Sequence, residues 1–113
     1  MDGLNHLKNF IDIGALEDIP PRGARTVTTA RGDIAIFRTG DDEVFALRDQ
    51  CPHKQGPLSE GMVHGRQVTC PLHNWVIDLP TGEALAPDRG RTACFAVKIE
   101  DGLVWLQKDE VLA

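Results

Sequence analysis

Two short segments that combine cysteine with histidine constrain this chain more than any other part of its sequence. They are Cys51-Pro52-His53 and Cys70-Pro71-Leu72-His73, and sixteen residues separate them. Thiolate and imidazole both suit zinc and iron, so the ligand types alone leave the metal undecided. A zinc finger typically takes two cysteines from one hairpin and two histidines from a later element. Here each segment supplies one of each, which favours a binuclear centre whose two metals face opposite ways.

The rest of the chain predicts short antiparallel strands. Residues 15–19 are expected to form a single helical turn that ends before Pro20. Asp101-Gly102 is a strong hairpin signal. Alternating or β-branched stretches predict strands at 10–13, 25–29, 34–37, 44–47, 67–69, 75–79, 95–100 and 103–106. Short strands at close spacing predict an all-β domain of sandwich or barrel type.

Length and charge narrow the class further. A chain of 113 residues predicts one domain, 1–113. The net charge of -5 and the absence of a Lys/Arg run argue against a nucleic-acid partner. The chain lacks a signal-peptide pattern and an eighteen-residue apolar stretch, so membrane insertion and secretion are not expected. Three cysteines, an odd number, argue against a disulfide scaffold. These features predict a cytoplasmic protein.

The pattern C-x-H followed by C-x-x-H resembles that of the Rieske [2Fe–2S] proteins. In a Rieske cluster two cysteines hold one iron and two histidines hold the other. The resemblance implies a [2Fe–2S] cluster with Cys51, His53, Cys70 and His73 as its ligands. It also implies an antiparallel β base with a cluster-binding subdomain inserted at about residues 48–90. We expect the two histidines nearest the surface and the two cysteines deeper.

The neighbours of these ligands predict a low reduction potential. Because the two histidine ligands are neutral, the oxidised cluster is formally neutral, and adding an electron to it costs less than adding one to a four-cysteine cluster. Rieske clusters accordingly have reduction potentials of about −150 to +300 mV, against about −400 mV for plant-type ferredoxins. High-potential Rieske proteins add a disulfide between the two loops, and the matching positions here are Gly56 and Leu72. High-potential Rieske proteins also have hydroxyl side chains that donate hydrogen bonds to the cluster, and Trp75 and Ile77 stand at those positions here. Fewer donors stabilise the reduced cluster less, which lowers its potential.

The chain most resembles the small subunit of assimilatory NAD(P)H-dependent nitrite reductase. The similarity runs through residues 58–65, 70–79 and 81–90, and Asn74 stands where dioxygenase ferredoxins usually have glycine. In that enzyme a large subunit with FAD, a [4Fe–4S] cluster and siroheme reduces nitrite to ammonium. This chain has no dinucleotide fingerprint and no further cysteine cluster. The resemblance therefore implies an electron-transfer subunit, without catalysis of its own, that relays single electrons and docks to the large subunit.

Two other functions remain open on the sequence. The first is a free Rieske ferredoxin that passes electrons from a flavin reductase to a ring-hydroxylating dioxygenase. The second is a non-redox interaction module whose metal is zinc or absent. A neighbouring gene for a siroheme protein or for an oxygenase would separate the two redox functions, and iron content would test the third.

Several residues near the two segments receive weaker predictions. Cys94 is expected to be a small buried hydrophobe outside the site. His64 is expected in a turn, and Trp75 is expected to pack under the second loop and shield the cluster from water. Lys54 and Gln55 flank the first loop, where they face solvent or a partner.

Overall fold

The structure is a computed structural model that describes residues 9–52, 56–72 and 74–107. These residues form three antiparallel sheets, which confirms the all-β class. The first sheet has the strand order β1-β10-β9, the second β2-β3-β4-β8 and the third β5-β6-β7. The strands are β1 Phe10–Ala15, β2 Gly23–Thr29, β3 Gly32–Arg38, β4 Val44–Arg48, β5 Met62–His64, β6 Gln67–Thr69, β7 Val76–Asp78, β8 Cys94–Phe95, β9 Val97–Glu100 and β10 Leu103–Gln107.

Strand β3 shows how the three sheets are layered. Its side chains alternate between two hydrophobic cores, as the period of two in a strand requires. Ile34 and Ile36 belong to the core shared with the first sheet, whereas Ala35 and Phe37 belong to the core shared with the third sheet. All four are fully buried. The second sheet is therefore the middle layer, with the third sheet packed on one face.

The local turn signals are confirmed where backbone geometry tests them. Asp101 and Gly102 have φ angles of 56° and 75° and join β9 to β10 in a hairpin. Residues 15–19 contain one 3₁₀ turn, Leu16–Asp18, and a second 3₁₀ turn occupies Leu58–Glu60. No helix in the described ranges is long and apolar enough to cross a membrane.

The prediction of one strand over residues 95–100 is wrong. The strand breaks at Ala96 because its two halves pair with different sheets: Phe95 lies opposite Ala46 of β4, and Val97 lies opposite Leu106 of β10. The segment therefore connects the first sheet to the middle one.

Two residue predictions are also wrong. Cys94 is exposed, not buried, because β8 is a two-residue edge strand at the end of the middle sheet. His64 is the last residue of β5 rather than a turn residue, and its Nε2 lies 2.7 Å from the Thr69 hydroxyl on β6.

Candidate metal centre

The third sheet and the end of β4 bring the two predicted cysteine ligands into one core. Cys51 follows β4 and Cys70 follows β6, and each thiol-bearing residue is 1% exposed. Both belong to the hydrophobic cluster between the middle and third sheets. Both cysteines are therefore deeply buried, as predicted, while the position of the histidines nearer the surface stays a prediction. His53 and His73 lie outside the described residues, as do Lys54 and Gln55.

The first ligand loop is closed by two sets of hydrogen bonds. The Cys51 amide donates to the Gly56 carbonyl at 2.8 Å. Further out, the Asp49 carboxylate accepts from the Ser59 amide at 2.7 Å and from the Ser59 hydroxyl at 2.8 Å. The carboxylate thus ties the start of the loop to the 3₁₀ turn that ends it. Sequence reasoning missed this pair because the partners are ten residues apart and neither belongs to a local motif.

The second ligand loop is the turn between β6 and β7. The Cys70 amide donates to the Trp75 carbonyl at 2.7 Å, and the Asn74 amide donates to the Cys70 carbonyl at 3.2 Å. Asn74 has a φ of 60°, in the left-handed region that asparagine adopts more readily than most residues. These bonds hold the backbone on both sides of the predicted ligand His73.

The two ligand loops contact each other through Gly56 and Leu72. A Cβ built on Gly56 would lie 2.6 Å from Leu72 Cδ1 and 3.7 Å from Cys70 Sγ. The Leu72 side chain therefore fills the space that a side chain at position 56 would occupy. These are the positions matched to the bridge of high-potential Rieske proteins, and here a van der Waals contact joins them. None of the described cysteines forms a disulfide.

A third segment, residues 84–91, packs against both loops. A Cβ built on Gly90, whose φ is +143°, would lie 3.1 Å from Pro52 Cβ and 3.6 Å from Trp75 Cζ3. Leu85 anchors the segment by donating its amide to the Val76 carbonyl at 2.8 Å. Trp75 is half-buried against the core that contains both cysteines, so its predicted packing is confirmed. The sequence indicated a loop here but carried no local signal that it would reach Pro52.

An ion pair fastens the β5–β6 hairpin to the middle sheet. Arg66 Nε donates to Glu43 Oε1 at 2.9 Å, and Nη2 donates to the second carboxylate oxygen. This hydrogen bonding is the main reason that the pKa of Glu43 is held below its ordinary value. Because both side chains are exposed, the pair adds little stability, but it fixes the hairpin that delivers Cys70.

The donor chemistry of the site fits an iron–sulfur cluster. Two buried cysteines from different loops belong to one core, and Cys70 Sγ lies next to Gly56. The histidine of each segment follows within three residues of its cysteine. Burial of the two cysteines keeps water away from their sulfur atoms, and the exposure of the sulfurs to solvent is one of the factors that set the reduction potential of a cluster.

Comparison with known proteins decides the family. The model of the Rieske-like [2Fe–2S] domain matches residues 9–107. This chain belongs to the Rieske-like [2Fe–2S] family. Its cofactor is a Rieske [2Fe–2S] cluster, and the chain is a Rieske ferredoxin-type electron carrier.

Relatives of this Rieske protein include whole ferredoxins and parts of larger enzymes. It is 37% identical over 99 residues to the anthranilate 1,2-dioxygenase ferredoxin subunit of Burkholderia cepacia, covering 87% of this chain and 91% of the relative. It is 36% identical to the 4β-methylsterol monooxygenase of Methylococcus capsulatus, covering 78% of this chain but 27% of that enzyme.

Solved structures with this Rieske fold come from both candidate systems. One is in a complex of oxygenase and ferredoxin of carbazole 1,9a-dioxygenase, with a TM-score of 0.79, 27% identity and coverage of 94% of this chain and 99% of that one. Another is described as the small subunit of an NADPH nitrite reductase, with a TM-score of 0.76, 24% identity and coverage of 86% and 96%. The second likeness is evidence for the fold alone.

Proposed function

We propose that Cys51, Cys70, His53 and His73 hold the Rieske cluster and that the chain relays single electrons through it. When bound, such a cluster supplies a one-electron redox couple. Two buried thiols on loops that contact each other support this ligand set. The role of the protein is to position the ligands through the Asp49 and Cys70 hydrogen bonds and to keep water from the sulfurs.

A low reduction potential belongs to this proposal. Gly56 and Leu72 meet without a disulfide, and Ile77, one of the two residues at the hydroxyl positions, is fully buried and apolar. The Thr69 hydroxyl, which lies next to Cys70, is already hydrogen-bonded to His64. With these hydroxyl donors absent, the reduced cluster is stabilised less, and the potential falls in the lower part of the Rieske range.

We propose further that the partner is the large subunit of an assimilatory nitrite reductase, which carries FAD, a [4Fe–4S] cluster and siroheme. The observation that carries this proposal is Asn74, at the position after the second histidine where dioxygenase ferredoxins usually have glycine. The backbone there has a φ of 60°, which glycine adopts at least cost. The presence of asparagine in place of glycine therefore indicates a role for its side-chain carboxamide. The proposal includes a cytoplasmic location, supported by the odd number of cysteines.

The second candidate is a ferredoxin that serves a ring-hydroxylating dioxygenase. The names of the curated relatives favour it over nitrite reductase. Three dioxygenase-system ferredoxins are 33–37% identical and each match spans at least 82% of this chain. The nitrite reductase proteins among the solved structures are 24% and 20% identical. The residues around Asn74 favour the first candidate, so the partner itself must be tested.

Electron transfer to purified partners separates the two candidates. Protein reduced with dithionite is mixed with the nitrite reductase large subunit or with a terminal dioxygenase, and reoxidation of the cluster is followed by its visible absorbance. We expect rapid reoxidation with the large subunit and slow reoxidation with the dioxygenase; the reverse result would assign the chain to the dioxygenase.

Iron content and EPR test the ligand set. The protein should contain about two irons and give the EPR signal of mixed cysteine and histidine ligation after reduction. Substitution of Cys51 or Cys70 by serine should abolish this signal, whereas Cys94→Ser should leave it unchanged because Cys94 is exposed on an edge strand. Iron-free protein that is folded and still binds its partner would support a non-redox interaction module instead.

A further inference from the structure

A groove of about 400 Å³ lies beside the second ligand loop. Residues 60–62 form one wall, and residues 69–71 with Asn74 form the other. The groove therefore runs between the beginning of β5 and the turn that carries Cys70. It flanks the loop on its cysteine side.

The rim of this groove carries an unusually exposed apolar side chain. Met62 is 72% exposed, and Leu72 on the same ligand loop as Cys70 is 52% exposed. Within the described ranges, Leu85 is the third large hydrophobic residue that is exposed, at 37%. Methionine is unbranched and polarizable, so it adapts to the shape of a partner surface. Of these three side chains Met62 lines the groove, and an apolar side chain exposed at the edge of a groove is a feature of interaction sites.

The charge at the groove indicates what kind of partner it fits. Glu60 is exposed at the rim and forms no ion pair with any residue that the structure describes, and none of the described residues that line the groove is cationic. A second copy of this chain would bring the same carboxylate and a net charge of -5, so self-association through the groove is disfavoured. A partner that presents an apolar side chain beside a lysine or arginine matches both features.

We propose that the groove receives an apolar side chain and an adjacent basic side chain of the large electron-transfer partner, and that Met62 and Asn74 determine which partner fits. Met62 packs on the apolar side chain, Glu60 pairs with the basic one, and the Asn74 amide hydrogen-bonds to the partner's backbone. Cys70 also lines the groove, so docking here brings the partner next to a sulfur ligand. This inference rests on the proposed function, with the nitrite reductase large subunit as partner.

Three substitutions probe the groove without disturbing the fold. Met62→Glu places a charge on a side chain that is already exposed, and Met62→Leu keeps the apolar contact. Asn74→Gly removes the side-chain carboxamide, and glycine accepts a φ of 60° without strain. Ala96→Glu is the matched control, because it adds the same charge at an exposed position where the chain passes between the other two sheets.

Binding of the cluster-loaded variants to the purified large subunit is measured by calorimetry, with the EPR spectrum as the check of an intact site. We expect Met62→Glu to raise Kd at least about tenfold, as for a central contact residue. Asn74→Gly should raise Kd about threefold to tenfold. Met62→Leu and Ala96→Glu should stay within about twofold of wild type. The rate of electron transfer at saturating partner should be unchanged for the Met62 variants and for Ala96→Glu, since these positions lie outside the two ligand loops.

The outcomes separate this inference from the proposed function. Tight binding by wild type and by Met62→Glu alike would overturn the groove as the docking site and leave the partner assignment intact. A wild-type protein that fails to bind the large subunit would overturn both. A dimer in sedimentation that Met62→Glu dissociates would show that the groove joins two copies of this chain, which also overturns the inference.

Discussion

Cysteines at positions 56 and 72 should form a disulfide that joins the two ligand loops. A Cβ built on Gly56 lies 2.9 Å from Leu72 Cγ, the atom whose place a cysteine sulfur would take. In a disulfide with an S–S bond of about 2.05 Å, the Cβ of one residue lies about 3 Å from the sulfur of the other. The backbone of the two loops therefore already has the separation that the double variant Gly56→Cys/Leu72→Cys needs.

The expected gain in stability arises in the unfolded chain and is the same with and without the cluster. Closing a loop of about 16 residues lowers the entropy of the unfolded chain and so raises its free energy by about 3 kcal/mol in the chain-entropy model. Loss of the Leu72 contacts costs about 1 kcal/mol, because this side chain is 52% exposed. The net gain is about 2 kcal/mol for the iron-free protein. The cluster binds the folded chain and not the unfolded one, so it leaves the entropy of the unfolded chain unchanged, and the loaded protein should gain the same ~2 kcal/mol.

Urea unfolding followed by circular dichroism measures both gains. The oxidised double variant is compared with Gly56→Ser/Leu72→Ser, which has similar volumes and no thiols to join, in iron-free and loaded forms. Failure of the two cysteines to pair in air would contradict the contact between the loops. A clearly smaller gain in the loaded form would refute the reasoning that the bridge acts through the unfolded chain.

The remaining predictions concern the hairpin and the ligands. Gly61→Ala should lower the free energy of unfolding by about 1–3 kcal/mol and reduce iron content, because its Cβ would lie 2.3 Å from the Thr69 carbonyl oxygen; wild-type values for both would contradict this contact. Arg66→Gln should lower stability only slightly at pH 7, because the ion pair is exposed. Since Arg66 depresses the pKa of Glu43, the difference is present above the ordinary carboxylate range and disappears as the pH falls below about 4; urea unfolding that shows the same difference at pH 3 would contradict the ion pair. His73→Cys should lower the reduction potential by adding a negative charge, and voltammetry that finds the potential unchanged in a protein that keeps its cluster would refute the charge argument.

Several features of this fold and site follow from the sequence because their physical causes are local. Asp101-Gly102 forms its hairpin because both residues tolerate positive φ, and the alternation in β3 directs successive side chains to opposite faces. The cysteine and histidine pairs indicate the cofactor because ligand chemistry depends on residue type and on short spacing. The single-domain assignment and the ligand set stay predictions, the latter because His53 and His73 lie outside the described residues.

Tertiary structure decided the features that depend on residues far apart in the chain. Cys94 is exposed because β8 lies at a sheet edge, and residues 95–100 split because two sheets compete for their backbone hydrogen bonds. The bond between Asp49 and Ser59, the packing of Gly90 on Pro52 and the groove under Met62 have no signature in neighbouring residues. Local sequence thus predicts which groups bind the metal, while packing between distant segments determined how Cys51 and Cys70 are held and where the groove lies.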